Sequence, residues 1–238
     1  MKRYQSVFEM ITRSSIYKVL LVVGGMLVAE AILFWNALMY LGGACLEEHI
    51  DQSYYSIVFK IAYVLITIAI VFPGMNIGST QTYTLQRLRI KERWIYGLQI
   101  IYNLLAYMIL WGAQLAMLLV SAVLYQKYLP EGALWTNQTL FIAFYRNDFM
   151  HSILPLEDGP SWWVLGLIGV STAILTAEFT KQQRNGKFVF ELLGLMVTAI
   201  IVFPREMGFE FVFLVIVLVF VYITMIIRRL LQMEVKES

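Results

Sequence analysis

The sequence predicts an all-α integral membrane protein with six membrane-spanning helices, and three observations lead to this fold class. First, 60% of the 238 residues are hydrophobic, 14% are charged, and the mean hydropathy is +0.70. That is more apolar surface than a soluble core of this size can bury. Second, the charged residues are grouped between long apolar runs. Third, all five prolines lie at or outside the ends of those runs, where a missing backbone N–H does least harm. We treat residues 1–238 as a single transmembrane domain.

Six apolar runs are predicted to cross the membrane. A helix needs about 20 residues to cross roughly 30 Å of hydrocarbon. The runs cover about residues 16–41, 55–72, 94–124, 161–180, 188–203 and 209–227. The third run is longer than a crossing requires, so it is either tilted or extends beyond the bilayer at one end.

The first fifteen residues are predicted to lie on the membrane surface. Apolar side chains recur at helical spacing at Tyr4, Val7, Phe8 and Ile11, with charged residues around the rest of the circumference. This pattern favours an interfacial helix over residues 1–15, and the alternative is a solvated tail. The apolar run that follows is longer than the core of a cleavable signal, so we expect the first span to be retained.

Residues 128–160 form the largest interruption of the apolar pattern and carry three of the five prolines. We predict an extracellular segment with one internal helix, Thr139–Leu154. Its apolar side chains would rest on the membrane surface; they are Phe141, Phe144, Tyr145, Phe149 and Ile153.

The stretch Tyr83–Arg93, between the second and third runs, places four basic residues within seven positions. Each Lys or Arg costs roughly 2.5–3.5 kcal/mol in the centre of a bilayer, so this stretch must project from a membrane face. Leu85 and Leu88 lie three residues apart, which predicts a short helix with one apolar stripe that docks on a partner. The simpler interpretation is a basic loop attracted to lipid headgroups.

The basic residues are distributed unequally between the two sides of the predicted membrane domain. Short cytoplasmic loops are enriched in Lys and Arg. Fourteen of the eighteen fall on one side: Lys2, Arg3, Arg13, Lys18, Arg87, Arg89, Lys91, Arg93, Lys181, Arg184, Lys187, Arg228, Arg229 and Lys236. We therefore predict that both termini and Tyr83–Arg93 are cytoplasmic. Glu178 and Glu191 flank the basic segment Lys181–Lys187 and are predicted to pair with its charges at the interface.

Motifs for the common catalytic chemistries are absent from the sequence. It contains no Gly-x-x-x-x-Gly-Lys-Ser/Thr loop, no Gly-x-Ser-x-Gly elbow and no His-Glu-x-x-His helix. The two histidines, His49 and His151, fall in different predicted outer loops, and the single cysteine, Cys45, allows no intramolecular disulfide. We expect no catalytic residue, metal or cofactor in this chain, and no nucleic-acid partner.

Glu30 is the most unusual residue of the predicted spans, because it lies near the middle of the first one. A carboxylate at that depth is costly, so it should face other helices or a water-filled cavity. One interpretation is a polar lining of a translocation path. The other is an interhelical hydrogen bond of this carboxyl, either ionised or protonated, to a polar residue of the third span, namely Gln99, Asn103 or Gln114.

Taken together, these features resemble the membrane subunit of an ABC transporter of the ABC-2, or type V exporter-like, class. That family has an N-terminal interfacial elbow helix, six spans, and a cytoplasmic coupling helix between the second and third spans. Residues 1–15 match the elbow and Tyr83–Arg93 matches the coupling helix, most specifically in the string Tyr-Thr-Leu-Gln-Arg-Leu-Arg-Ile. The chain is especially similar to small bacterial permeases that lack a fused ATPase.

The resemblance implies an ATP-driven exporter in the bacterial cytoplasmic membrane. A separate ATPase would bring ATP and Mg²⁺, and a second membrane subunit, identical or related, would complete the path. The residues that would couple to the ATPase are Thr84, Leu85, Gln86, Arg87, Leu88, Arg89, Ile90 and Arg93. One departure is Pro204–Gly208, where many members of the family insert re-entrant helices, so no substrate is carried over.

Two other functions are compatible with the sequence. A membrane scaffold or sensor would bind a cytoplasmic partner through Tyr83–Arg93 without moving any substrate. An intramembrane enzyme would use Glu30. The identity of the bound partner distinguishes the transporter from the scaffold, and an activity that survives ATP depletion would distinguish the enzyme.

Overall fold

All regular secondary structure in the described part of the chain is α-helical. The computed structural model describes residues 2–40, 45–75, 92–129, 137–156, 159–184 and 191–202, and the single helical positions 216, 220, 223 and 227. Its helices are α1 (Lys2–Tyr40), α2 (Leu46–Gln52), α3 (Tyr55–Met75), α4 (Glu92–Tyr128), α5 (Asn137–Arg146), α6 (Asp148–Ile153), α7 (Gly159–Arg184) and α8 (Glu191–Val202).

Within these residues, three helices are long and apolar enough to cross a membrane: Ser15–Tyr40, Arg93–Tyr128 and Gly159–Gln183. A fourth candidate span is the pair Leu46–Gln52 and Tyr55–Val71, which is bent by 48°. The predicted fifth span is represented by a shorter apolar helix, Leu192–Ile201, and the sixth, residues 209–227, lies outside the described residues apart from its four single positions. The structure therefore shows three or four candidate spans where the sequence predicts six.

The bend before α3 has a local cause. Tyr54 has a φ of 53°, a left-handed conformation that interrupts a helix. The hydroxyl of Ser53 donates to the carbonyl oxygen of His49, and the N–H of Tyr54 donates to that of Asp51, so the end of α2 is closed by its own last turn. α3 then begins at Tyr55, the residue at which the second span is predicted to begin.

The structure shows no boundary between the predicted interfacial helix over residues 1–15 and the first span, and the position of residues 1–15 on a membrane surface stays a prediction. α1 is a single helix of 39 residues, and the predicted boundary lies inside it. The sequence from Ile11 to Lys18 contains no glycine or proline to interrupt the helix. Ser15 does not cap a new helix either, because its hydroxyl donates to the hydroxyl of Tyr102 at 2.8 Å.

The predicted helix Thr139–Leu154 is divided into α5 and α6. Asn147 separates them, because its Oδ1 accepts a hydrogen bond from the N–H of Met150 and caps the start of α6. Of the five apolar side chains predicted to rest on a membrane surface, Phe144, Phe149 and Ile153 are almost fully buried in the hydrophobic core, whereas Phe141 and Tyr145 are exposed. This segment therefore packs onto the bundle.

Contacts between side chains give the directions of the long helices. α1 runs parallel to α4, whereas α3 and α7 run antiparallel to it. The pairs are Ser15–Tyr102 and Glu30–Gln114 for α1 and α4, Tyr55–Ser121 and Thr67–Tyr107 for α3 and α4, and Lys181–Tyr96 and Trp162–Trp111 for α7 and α4. Using the predicted orientation only for names, we call the end of the bundle that holds Ser15, Tyr96 and Lys181 the inner end. The end that holds Tyr55 and Tyr125 is the outer end.

The bundle is apolar outside and partly polar inside. Every exposed side chain of α3 between residues 57 and 68, and of α4 between residues 101 and 123, is apolar. α7 packs against α3, α4 and α8. From Ser171 to Gln182 it is buried at every position except Ile174, which is partly buried. The inner half of α7 is thus central in the described bundle, whereas its outer half is exposed at Trp162, Trp163 and Val170.

The predicted helix over Tyr83–Arg93 lies almost entirely outside the described residues. Its last two residues, Glu92 and Arg93, are the first two of α4, and Arg93 is exposed. The third span, which the sequence places at residues 94–124, is confirmed as a helix and is longer by a few residues at each end.

Candidate functional site

A stripe of polar side chains follows the buried face of α4. Its members recur every three, four or seven residues, which places them on one side of the helix. None is more than 9% exposed: Tyr96, Gln99, Asn103, Tyr107, Gln114, Ser121 and Tyr125. The stripe is about 44 Å long at a rise of 1.5 Å per residue, which is longer than a bilayer core of about 30 Å. We call these seven residues the polar stripe.

Glu30 of α1 meets the polar stripe near the middle of the bundle. The side-chain amide of Gln114 donates from Nε2 to Glu30 Oε2 at 3.2 Å. Both side chains are fully buried. This contact is the interhelical hydrogen bond that the sequence offers as the simpler interpretation of Glu30, and it selects Gln114 among the three predicted partners. A role for these residues in translocation stays a prediction.

Asn103 joins the polar stripe to α7. Its Nδ2 donates to the backbone carbonyl of Ala173 at 3.2 Å, and its Oδ1 is buried and has no hydrogen-bond partner in the described part of the chain. A buried amide oxygen without a partner costs free energy, and it can accept a hydrogen bond from any polar group that enters. Asn103 and Gln99 therefore share the face of Gln114 but do not contact Glu30 through the hydrogen bonds that the structure shows.

Hydroxyl groups join the polar stripe to α3 and, beside it, join α3 to α7. Tyr55 and Ser121 are joined at 2.6 Å, Thr67 and Tyr107 at 2.9 Å, and Tyr63 and Thr172 at 2.7 Å. The threonine of each of the last two pairs also donates to a backbone carbonyl of its own helix. Each threonine hydroxyl thus accepts a hydrogen bond from a buried tyrosine and donates one to the backbone of its own helix.

The inner end of the polar stripe contains charged groups. The ammonium of Lys181 lies 5.4 Å from the centre of the Tyr96 ring, a cation–π contact between α7 and α4. Glu178 is fully buried and accepts a hydrogen bond at 2.6 Å from Gln182 Nε2. The hydrogen bond that the structure shows for Glu178 is thus to Gln182 rather than to a basic residue of the segment Lys181–Lys187, and this carboxyl lies within the bundle.

The outer end of the polar stripe is covered by α2, α5 and α6. The ring of His49 packs edge-on against Tyr125 with centroids 5.1 Å apart, and its Nδ1 lies 2.9 Å from the carbonyl oxygen of Cys45. Asn147 donates from Nδ2 to Asp51 Oδ1 at 2.7 Å, which ties α6 to α2. These contacts close the bundle over Ser121 and Tyr125.

Sequence reasoning selected the amides of the polar stripe and missed its hydroxyls. Gln99, Asn103 and Gln114 stand out as polar residues in an apolar run, whereas tyrosine counts as hydrophobic in a composition. The signal that would have found Tyr96, Tyr107, Ser121 and Tyr125 is their spacing, which continues the register of the three amides at intervals of three, four and seven. The contacts from α3 and α7 have no such local signal.

The metal-ligating side chains among the described residues do not form a metal centre. Over residues 2–202, excluding the gaps given above, no three His, Cys, Asp or Glu side chains are grouped so that they could hold a metal ion. Cys45 is a free, exposed thiol. What the polar stripe offers chemically is a row of hydroxyl and amide groups that hydrogen-bond to three neighbouring helices.

The fold and the polar stripe define a candidate multi-pass helical membrane protein whose interior is partly polar. No family model, no curated protein and no solved structure matches the chain.

Proposed function

We propose that the chain is the membrane subunit of an ATP-driven transporter, an exporter that is coupled to a separate ATPase. The polar stripe is the observation that supports this proposal. A span whose buried face carries amides and hydroxyls along its full length offers hydrogen bonds to a polar substrate at every depth of the membrane. Glu30, Gln99, Asn103 and Gln114 are the residues that we assign to the path.

The energetics of the polar stripe suit a bundle that changes shape. Hydrogen bonds between membrane helices contribute on average about 0.6 kcal/mol each, because the separated helices find other partners. The contacts of Tyr63 with Thr172 and of Thr67 with Tyr107 can therefore be exchanged at low cost. The Oδ1 of Asn103, which has no hydrogen-bond partner among the described residues, can accept a hydrogen bond from a substrate.

The proposed coupling element is the predicted helix Tyr83–Arg93, which joins α3 to α4. Both helices carry contacts of the polar stripe, and Arg93 lies only three residues before Tyr96, the first member of the stripe. Because α4 starts at Glu92, a displacement of the coupling element is passed directly to the stripe. Leu85 and Leu88 would fill a groove of the ATPase, and Arg87, Arg89 and Arg93 would meet its acidic rim.

The test is co-purification in mild detergent of the tagged chain from its native membrane. We expect a nucleotide-binding subunit to be recovered with the wild-type chain and ATP hydrolysis to be measurable in the complex. The double substitution Leu85→Asp and Leu88→Asp should remove both, because two carboxylates would enter the apolar contact. Membrane insertion should not change.

A matched control adds the same two charges just before the apolar stripe, as Ser79→Asp and Gln81→Asp, and should retain the subunit. Recovery of a cytoplasmic protein that binds no nucleotide would favour a scaffold or sensor instead. Retention of the ATPase by the Leu85 and Leu88 variant would disprove the coupling role.

A further inference from the structure

The contact between Glu30 and Gln114 contains only one of the two hydrogen bonds that these side chains can form with each other. Gln114 Nε2 donates to Glu30 Oε2, but Glu30 Oε1 and Gln114 Oε1 are both buried and have no hydrogen-bond partner among the residues that the structure describes. An ionised carboxylate has only acceptors, and so does the oxygen of an amide. If Glu30 is ionised, therefore, neither of the two unpartnered oxygens can donate a hydrogen bond to the other.

The surroundings of Glu30 also disfavour a negative charge. Glu30 lies about 22 Å along α1 from Ser15, at 1.5 Å per residue, and so near the middle of the candidate span Ser15–Tyr40. The titratable group of α3 that interacts with it is Tyr55, whose hydroxyl is already bonded to Ser121 at 2.6 Å. α4 contributes the uncharged Gln114. None of these groups supplies a positive charge to balance a carboxylate.

We propose that Glu30 is a proton-binding site of the closed bundle. The proton resides on Oε1, and this hydroxyl donates to Gln114 Oε1 while Gln114 Nε2 donates to Glu30 Oε2. A carboxylic acid and a primary amide each present one donor and one acceptor side by side, so the two groups form a ring of two hydrogen bonds. One bound proton satisfies both buried oxygens and fastens α1 to α4. This inference concerns the chain itself and does not depend on a coupled ATPase.

Infrared difference spectra between the wild type and a variant, both purified and in lipid at neutral pH, test the proposal. The wild type should show the carbonyl band of a neutral carboxylic acid, and the band should be lost in Glu30→Gln. The substitution keeps the size of the side chain and allows an amide–amide ring with Gln114, so the bundle should remain folded. A difference spectrum that shows only carboxylate bands would overturn the proposal.

A control and a second variant keep the test decisive. Glu9→Gln removes an exposed carboxyl from the same helix and should remove carboxylate bands only. Gln114→Leu should keep the neutral acid band but shift it to higher frequency, because the carbonyl of Glu30 loses its donor. If Glu30→Gln does not fold, the Gln114→Leu spectrum decides alone: an unshifted neutral band or a carboxylate band contradicts the acid–amide pair.

Discussion

Asn147 is a single side chain that connects three helices. It follows α5, it caps α6 by accepting from the N–H of Met150 at 2.9 Å, and it donates to Asp51 of α2 at 2.7 Å. Its side chain is only 3% exposed. Because both its donor and its acceptor are used inside the protein, neither alanine nor aspartate can replace it without loss.

We expect Asn147→Ala to lower the free energy of unfolding by about 1–2 kcal/mol, as the loss of a helix cap does. Asn147→Asp keeps the capping oxygen but places a second carboxylate beside Asp51, so it should also be destabilising. Thermal unfolding in detergent measures both. Gln138→Ala, at an exposed position of α5, is the control and should leave the transition unchanged. If Asn147→Asp unfolds like the wild type, the bond to Asp51 contributes nothing.

At the scale of residues, the sequence predicts the face of a helix better than it predicts the partner. The spacing of Gln99, Asn103 and Gln114 places them together on α4, as the structure shows. Their partners are not local: Glu30 and Gln114 are separated by 84 positions, and Asn103 binds a backbone carbonyl, which no side chain in the sequence marks. Only the packing of three helices decides which polar groups meet.

At the scale of elements, α7 depends most on packing. Leu175 is fully buried at the centre of the helix, whereas Val170 is 41% exposed on the same helix. The two positions therefore separate the contribution of the interior from that of the outer surface. Both side chains can be truncated to alanine without changing the charge of α7.

We expect Leu175→Ala to lower the free energy of unfolding by about 2–5 kcal/mol, because it leaves a cavity between α7 and its neighbours. Val170→Ala should have little effect, since lipid can take the place of the lost methyl groups. Thermal unfolding in detergent or lipid discs compares the two variants. Equal losses for both would contradict a central position of α7.

The elements that are predicted correctly are those with long apolar runs. The errors lie where a cap or a turn determines the boundary of a helix. α3 begins at its predicted first residue because the positive φ of Tyr54 ends the helix before it. The expected break near Ser15 is missing, because the hydroxyl of Ser15 binds Tyr102 instead of capping a helix. Asn147 breaks a run that looks continuous by spacing. None of these three effects can be predicted from the hydropathy of the sequence alone.

At the scale of the whole molecule, the unequal distribution of basic residues makes the orientation testable. Cys45 is the one cysteine of the sequence and is exposed. It is predicted to lie outside, so a membrane-impermeant maleimide should label it in intact cells. A variant with Cys45→Ser and Lys187→Cys should be labelled only after permeabilisation, because residue 187 is predicted to be cytoplasmic.

Cys45→Ser alone is the control and should not be labelled under either condition. Labelling of Lys187→Cys in intact cells, with protection of Cys45, would invert the orientation. Labelling of both in intact cells would contradict the odd number of crossings, three, that is predicted between them.

The burial of α7 has a consequence for how the polypeptide is inserted during synthesis. Its inner half carries Glu178, Lys181 and Gln182, which would be poorly tolerated by lipid, yet in the bundle all three are buried against protein. The helices that receive them, α3 and α4, precede α7 in the chain and leave the ribosome first. We therefore expect α7 to pack directly onto α3 and α4 as it is inserted. Ending the nascent chain before residue 159 should leave a stable intermediate. α7 expressed alone should enter the bilayer less efficiently than it does after α3 and α4.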